Sequence, residues 1–314
     1  MKSKYLTACM LLSGMLFHSV TRGQTEVDAI MMNKTQFCAG FMYNYSKWDE
    51  YWEGTLKRNN LNLGDVSSQS VMFMANYGIT DKLNVMVGAP YVWTKASAGT
   101  LKGLDGVQDI SLNVKWKPYT KVFGKNKLQL LLVGGVSTPL SDYVIDYLPL
   151  SIGLGSTNVT GRLMIDYVHT SRFFATGSAA YVWRSNVKLD RTSYFDTELH
   201  STNEVKMPDA ASFQLRTGYR GKYLIAEALL SNWTTLGGFD ITRNNMPFPS
   251  NKMNSTSAGV NAKYTLKQHT NLSFLGGGGY VIHGRNSGQA FNVNAGIFYA
   301  LYFNKKLDKN NFNQ

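Results

Sequence analysis

A histidine beside a serine or cysteine, a carboxylate pair, or a cluster of metal ligands would be the carrier of chemistry in this chain of 314 residues. The five histidines are scattered: His18 lies near the start, His169 and His269 in turn-like stretches, His200 in a long polar connection, and His283 at the end of an alternating segment. None shares a face with a serine in a way that supplies nucleophile, base and orienter together. Asp105 with Asp109, and Asp142 with Asp146, match no defined calcium loop and read as solvated loop carboxylates. The run Gly276-Gly277-Gly278-Gly279 is followed by neither Lys-Ser/Thr nor a helix, so it is no phosphate loop. Glycines inside a strand pattern mark a bend or a close backbone approach. These residue types predict no catalytic group, no metal site and no cofactor.

A second set of charges is more informative. Lys115, Arg162, Asp166, Arg184, Arg216, Glu227 and Lys263 all fall on the polar face of segments whose other face is apolar. Burying them unpaired would be very costly, so they are expected to line water or to pair across an interior. Arg162, Asp166, Arg184, Arg216 and Glu227 lie on neighbouring segments, which suits a network. A permeation lining and a structural ion-pair network are both consistent with the pattern; a basic lining would favour anions.

The elements that must position these charges are strands. Phe37, Ala39, Phe41, Tyr43 and Tyr45 alternate with Cys38, Gly40, Met42, Asn44 and Ser46. Ile110, Leu112, Val114 and Trp116 alternate with Ser111, Asn113, Lys115 and Lys117, and the same period of two recurs from Leu83 and from Phe291. Twelve such segments are expected to begin near Gln36, Ser70, Leu83, Gln108, Lys127, Asn158, Phe173, Ala211, Tyr223, Ser255, Asn271 and Ala290. Short turns at 79–82, 169–172, 219–222 and 267–270 alternate with long connections at 47–68, 95–107, 139–157, 186–208 and 237–254. Tight turns at one end and long loops at the other are the habit of membrane barrels. Rings near segment ends, among them Trp48, Trp52, Trp93, Trp116, Trp183 and Trp233, predict interfacial girdles.

Composition agrees. Charged residues make up 17% of the chain and aromatics 13%, against roughly 25% charged in soluble domains. A mean hydropathy of −0.20 fits strands that offer lipid only every second residue. Lys2 and Lys4 precede an apolar run from Tyr5 to Val20, and Thr21-Arg22-Gly23 sets small residues for cleavage before Gln24. With Lys2, Lys4 and Arg22 removed, 29 basic residues face 20 acidic ones, a net +9. This excess is spread over turns and loops, unlike the clustered patch of a nucleic-acid binder, and suits anionic headgroups and lipopolysaccharide. Cys9 ends a lipobox-like Leu6-Thr7-Ala8-Cys9, but the apolar run continues past it, so cleavage is expected further on. That leaves Cys38, read as a small packed hydrophobe. Because a sheet in lipid must leave no backbone group unpaired, the strands near Phe37 and Phe303 are expected to pair and close the wall.

The stretch Tyr77-Gly78-Ile79-Thr80-Asp81-Lys82-Leu83, followed by Val87-Gly88-Ala89-Pro90-Tyr91-Val92, resembles the outer-membrane family labelled "MetA-pathway of phenol degradation". Gly106-Val107-Gln108-Asp109 matches that family's Gly-x-Gly-Asp step except that Gln108 replaces the second glycine. The similarity is clearest over 70–118 and looser to about residue 185. It implies a barrel and uptake of aromatic or other hydrophobic compounds, and brings no catalytic residues. Leu301 and Phe303 resemble the terminal signal read by the barrel-assembly machinery, from which the tail 304–314 departs.

The sequence therefore predicts an all-β fold: a signal peptide over 1–23, a short segment over 24–35, a transmembrane antiparallel barrel of about twelve strands over 36–303, and a polar tail. Two functions stay open. One is a transporter or narrow pore for small solutes, hydrophobic or aromatic ones among them. The other is a non-conducting barrel whose long loops bind; an outer-membrane enzyme ranks below both. Expected partners are outer-membrane lipid, lipopolysaccharide, the assembly machinery and a small solute, with no nucleic acid.

Overall fold

A computed structural model describes residues 24–242 and 246–303. The expected signal peptide and polar tail lie outside the described residues. Strict alternation makes each segment a strand with one apolar and one polar face, and among the described residues twelve long strands form. They are β1 (Gln36–Trp48), β2 (Val66–Thr80), β3 (Leu83–Ala96), β4 (Asp109–Phe123), β5 (Asn126–Pro139), β6 (Asn158–His169), β7 (Phe173–Arg184), β8 (Ala210–Arg220), β9 (Leu224–Thr235), β10 (Asn254–Thr265), β11 (Leu272–Arg285) and β12 (Phe291–Tyr302).

Each strand pairs antiparallel with the next, and β1 pairs with both β2 and β12. The closing seam runs unbroken from Gln36 opposite Tyr302 to Lys47 opposite Phe291. Closure removes both sheet edges, as lipid requires. Two irregularities sit at prolines, which lack the N–H that a ladder uses, and two others fall between Gly78 and Thr80 and between Thr256 and Ser257. The β4–β5 register shifts between Trp116 and Tyr119, around Pro118. At Pro90, β3 leaves its pairing with β4 at Gly88 and resumes with Asp105–Val107, where the Gln108 N–H donates to the Pro90 carbonyl at 3.0 Å.

The wall is apolar on the outside. Trp116 and Ile165 are 47% and 51% exposed, and Phe41, Val114, Leu163, Phe213, Ile297 and Tyr299 are exposed beside them. A soluble protein rarely leaves a contiguous apolar surface of that extent in water. The inside holds Asn76, Asn84, Lys115, Asp166, Arg184, Arg216 and Lys263, all buried. Polarity is inverted relative to a soluble domain: this is a wall built for lipid.

Short turns gather at one end. Gly124, at φ +57°, lets the β4–β5 turn adopt the left-handed conformation that other residues avoid. Long connections gather at the other end, where they carry small hairpins: Glu50–Glu53 with Leu56–Asn59, Val187–Lys188 with Glu204–Val205, and Tyr194–Phe195 with Leu199–His200. Three expected girdle rings are placed otherwise. Trp48 packs on Leu63, Val66 and Leu150 among the long connections. Trp52 is buried within the first of these hairpins, against Gly284, and Trp233 borders the lumen, because long-range loop packing and strand register decide where a ring near a strand end points.

Candidate functional site

Residues 24–35 enter the barrel from the short-turn end. Thr35 N–H donates to the Gly78 carbonyl (2.7 Å) and Lys34 N–H to Asp81 Oδ1 (2.8 Å), fixing the point of entry. Inside, Asn76 Nδ2 donates to the Gln24 carbonyl at 3.0 Å. The Asn84 side-chain oxygen accepts from Met32 N–H at 2.6 Å and from the Gln24 amide at 3.0 Å. Apolar anchors complete the fit: Ala29 packs with Met86, Leu131, Val133 and Met164, while Met32 packs with Cys38, Met74, Phe298 and Ala300. Cys38 here is the buried small hydrophobe expected of it.

One wall charge holds the segment. Lys115, fully buried, donates from Nζ to the carbonyls of Thr25 (2.5 Å), Asp28 (2.7 Å) and Ile30 (3.3 Å), and to Asp28 Oδ1 (3.2 Å). Asp28 in turn accepts from the N–H groups of Thr25 and Ile30 at 2.6 and 2.9 Å. An ammonium ringed by four oxygens meets the condition under which a buried cation is tolerated.

Asp166 heads a second network. It is fully buried and accepts from Arg220 through Nη1 and Nη2 at 3.0 and 3.3 Å, from Gln129 at 3.0 Å and from Thr176 at 2.6 Å. Arg220 also lies 4.0 Å over the Phe174 ring. Sequence reasoning assigned Arg220 to a turn and missed this role; its signal was an inward parity shared with Arg216 at the end of β8.

Above the N-terminal segment lies a cavity of about 720 Å3. Glu26, Asp28 and Ile30 border it below, and Gly153, Leu154 and Ser156 of the third long connection border it at the loop end. Five of the seven expected lumen residues border this cavity: Arg162, Arg184, Arg216, Glu227 and Lys263. Lys115 and Asp166 do not; the bound segment and the Arg220 network enclose them. Arg216 Nη2 sits 3.2 Å from Glu227 Oε1. Arg162 donates to Ser178 Oγ (3.3 Å) and Arg184 to the Pro208 carbonyl (3.2 Å), and among the described residues neither has a carboxylate at ion-pair distance. Arg216 Nε and Asn294 Oδ1, also on the cavity wall, are buried and have no hydrogen-bond partner among the described residues.

The long connections pack on one another at the cavity's loop end. Ile145, Val187, Leu189, Tyr194, Val205 and Met207 form an apolar cluster of their own, joined by Tyr143, Leu154 and Phe248. His200 stacks on Tyr194 at 4.6 Å and contacts Asp196, so its neighbours are an aromatic ring and a carboxylate. A clasp ties further loops together: Asp240 accepts from Arg285 at 2.8 and 2.6 Å and from Asn286 at 2.7 Å, and Asn286 also bonds Gly54 and Lys252. Those bonds to Arg285 hold the Asp240 carboxyl down, at about 2.

No protein-family model matches the chain, and no curated protein matches it. In shape it is similar to the COG4313 outer membrane channel from Pseudomonas putida F1, with a TM-score of 0.69 and 13% identity over 88% of this chain and 98% of that one. The fold is that of an outer-membrane β-barrel. At that identity the likeness speaks for architecture alone. The barrel also aligns with the NanC porin (TM-score 0.44, 7% identity, 83% and 100% of the two chains). A third alignment is with a mutant of the TodX monoaromatic hydrocarbon channel (TM-score 0.42, 11% identity, 87% and 91%). Those two likenesses are too distant to carry an argument.

Proposed function

We propose that the barrel sits in a bacterial outer membrane and moves small solutes through its lumen, and that residues 24–35 hold it in a narrowed state. The observation that carries this reading is the bordered cavity of about 720 Å3, lined by charged, polar and methionine side chains inside a wall whose outer face is apolar. That volume falls in the range of small-molecule sites, roughly 300–1,000 Å3. Twelve strands lie between eight-stranded barrels, whose interiors fill with side chains, and the wide aqueous porins. The resemblance over residues 77–92 adds hydrophobic or aromatic compounds to the solutes to be tried.

On this reading the short turns face the periplasm and the packed loops face outward, toward lipopolysaccharide. A second reading, a non-conducting barrel that acts through its loops, draws support from the apolar cluster those loops build around Tyr194 and Val205. Conductance of the refolded chain in a planar bilayer separates the two. Discrete openings support transport; silence from a folded barrel, with and without residues 24–33, supports the loop reading.

A further inference from the structure

The cavity is two-faced. Arg216, Arg162 and Arg184 stand on β8, β6 and β7, the last two without a carboxylate partner among the described residues. Their parity matches across the ladders: Arg162 pairs with Ala180 and Arg216 with Thr176, so all three point to the same interior side of adjacent strands. Half a barrel away, Met42 and Met72 are direct cross-strand partners on β1 and β2. Met74, Met86, Pro90 and Phe298 extend that apolar face, and all six border the same cavity.

We propose that this cavity binds a small amphipathic carboxylate, with its carboxylate on Arg162 and Arg184 and its apolar body on the methionine wall; this rests on the transport reading and names its cargo class. Guanidinium groups match planar carboxylates through paired N–H donors. Among the described residues Arg162 donates to a neutral hydroxyl and Arg184 to a neutral carbonyl, so each has donors to offer an incoming anion. The opposite wall has the complementary property. Methionine is unbranched and polarisable, and repacks around differing apolar shapes, so the body of the ligand is selected by size and hydrophobicity more than by outline. Gly40 keeps this wall hollow: a Cβ there would meet the Phe298 ring at 2.6 Å. Asn44, Asn261 and Asn294 border the cavity between the two faces, where they suit bound water or a polar ring substituent. Glu26 and Asp28 on the floor and Glu227 beside Arg216 set a limit: they repel a second negative charge, so monocarboxylates are favoured over dicarboxylates.

The test is equilibrium binding by titration calorimetry to the folded full chain in a nonionic detergent. The probes are benzoate, benzyl alcohol (the ring without charge) and acetate (the charge without a body). Benzoate is expected to bind at least tenfold more tightly than either, about 1.4 kcal/mol. In Arg162→Gln with Arg184→Gln, benzoate should weaken tenfold or more while benzyl alcohol stays unchanged. Met72→Gln should weaken both aromatic probes, and Arg162→Lys should recover part of the benzoate affinity. Heat-modifiable migration shows that each variant is folded. Benzoate that binds no better than its two parts, or equally well to the double arginine variant, overturns the site. That failure differs from failure of the transport reading: a barrel that conducts yet ignores benzoate loses this proposal alone.

Discussion

Lys115 Nζ lies 3.2 Å from Asp28 Oδ1, so a wall residue of β4 is joined inside the lumen to a residue 87 positions earlier in the chain. The same ammonium reaches three backbone carbonyls of the segment. Removing one partner of a buried pair typically costs about 3–5 kcal/mol, because the other charge is left uncompensated. Here the loss has an outlet: the segment can leave the lumen and Asp28 can regain water while the barrel stays closed. Lys115→Met is therefore expected to leave the thermal unfolding of the barrel nearly unchanged but to expose residues 24–35 to exchange and proteolysis. Amide hydrogen exchange over that segment checks it; unchanged protection there would mean the apolar anchors around Met164 suffice.

Asp166 has no such outlet. It sits on β6 and its four donors come from Gln129, Thr176 and Arg220, all on wall strands. Arg220→Gln should lower barrel stability by about 3–5 kcal/mol, read as a drop in the temperature at which the folded band is lost. Lys57→Gln breaks the exposed Lys57–Glu50 pair (2.6 Å) and should change stability by about 1 kcal/mol or less.

The outer clasp gives a pH dependence of known sign. Hydrogen bonds from Arg285 hold the Asp240 carboxyl at about 2, below its ordinary 3.8. A carboxyl depressed by folding contributes stability above its unfolded value and loses it as pH falls through the folded one. Exchange protection of residues 237–242 and 250–254 should hold from pH 7 down to about 4 and fade between about 4 and 2. Asp240→Asn should lack that protection at every pH in the range, since it cannot accept the paired bond from Arg285.

Gly40 tests closure. A Cβ at this position would stand 2.1 Å from the Ile297 carbonyl, on the seam where β1 meets β12. Backbone cannot yield there without opening the pairing, so Gly40→Val should give a barrel that refolds poorly. By contrast, Gly134 faces open space, and Gly134→Val should refold like the native chain.

Strand number and strand position were legible because period-two alternation is a local property. Starts expected at Gln36, Leu83, Asn158 and Phe173 coincide with β1, β3, β6 and β7; the largest displacement is at β2, expected near Ser70 and beginning at Val66. The alternating connection lengths likewise reappear as the two ends of the barrel. Parity also put Arg162, Arg184, Arg216, Glu227 and Lys263 on one face, and these border the cavity. What parity could not supply was contact at a distance. Residues 24–35 have no alternation, so nothing local reveals that Ala29 meets Met164 or that Asp28 meets Lys115. Arg220 sits at a strand end, where a turn and an inward side chain look alike in sequence. Trp48, Trp52 and Trp233 followed the same rule as the other rings, but packing among the loops, a loop hairpin and the register of β9 turned them away from the outer interface.

On the proposed function the lumen conducts and residues 24–35 narrow it. Planar-bilayer conductance of two refolded chains, one beginning at Gln24 and one lacking residues 24–33, tests it most directly. Brief, infrequent openings are expected from the first and stable, larger steps from the second, at matched folded fraction. Equal conductance in both would mean the segment does not control the path, and silence from both would contradict transport through this lumen.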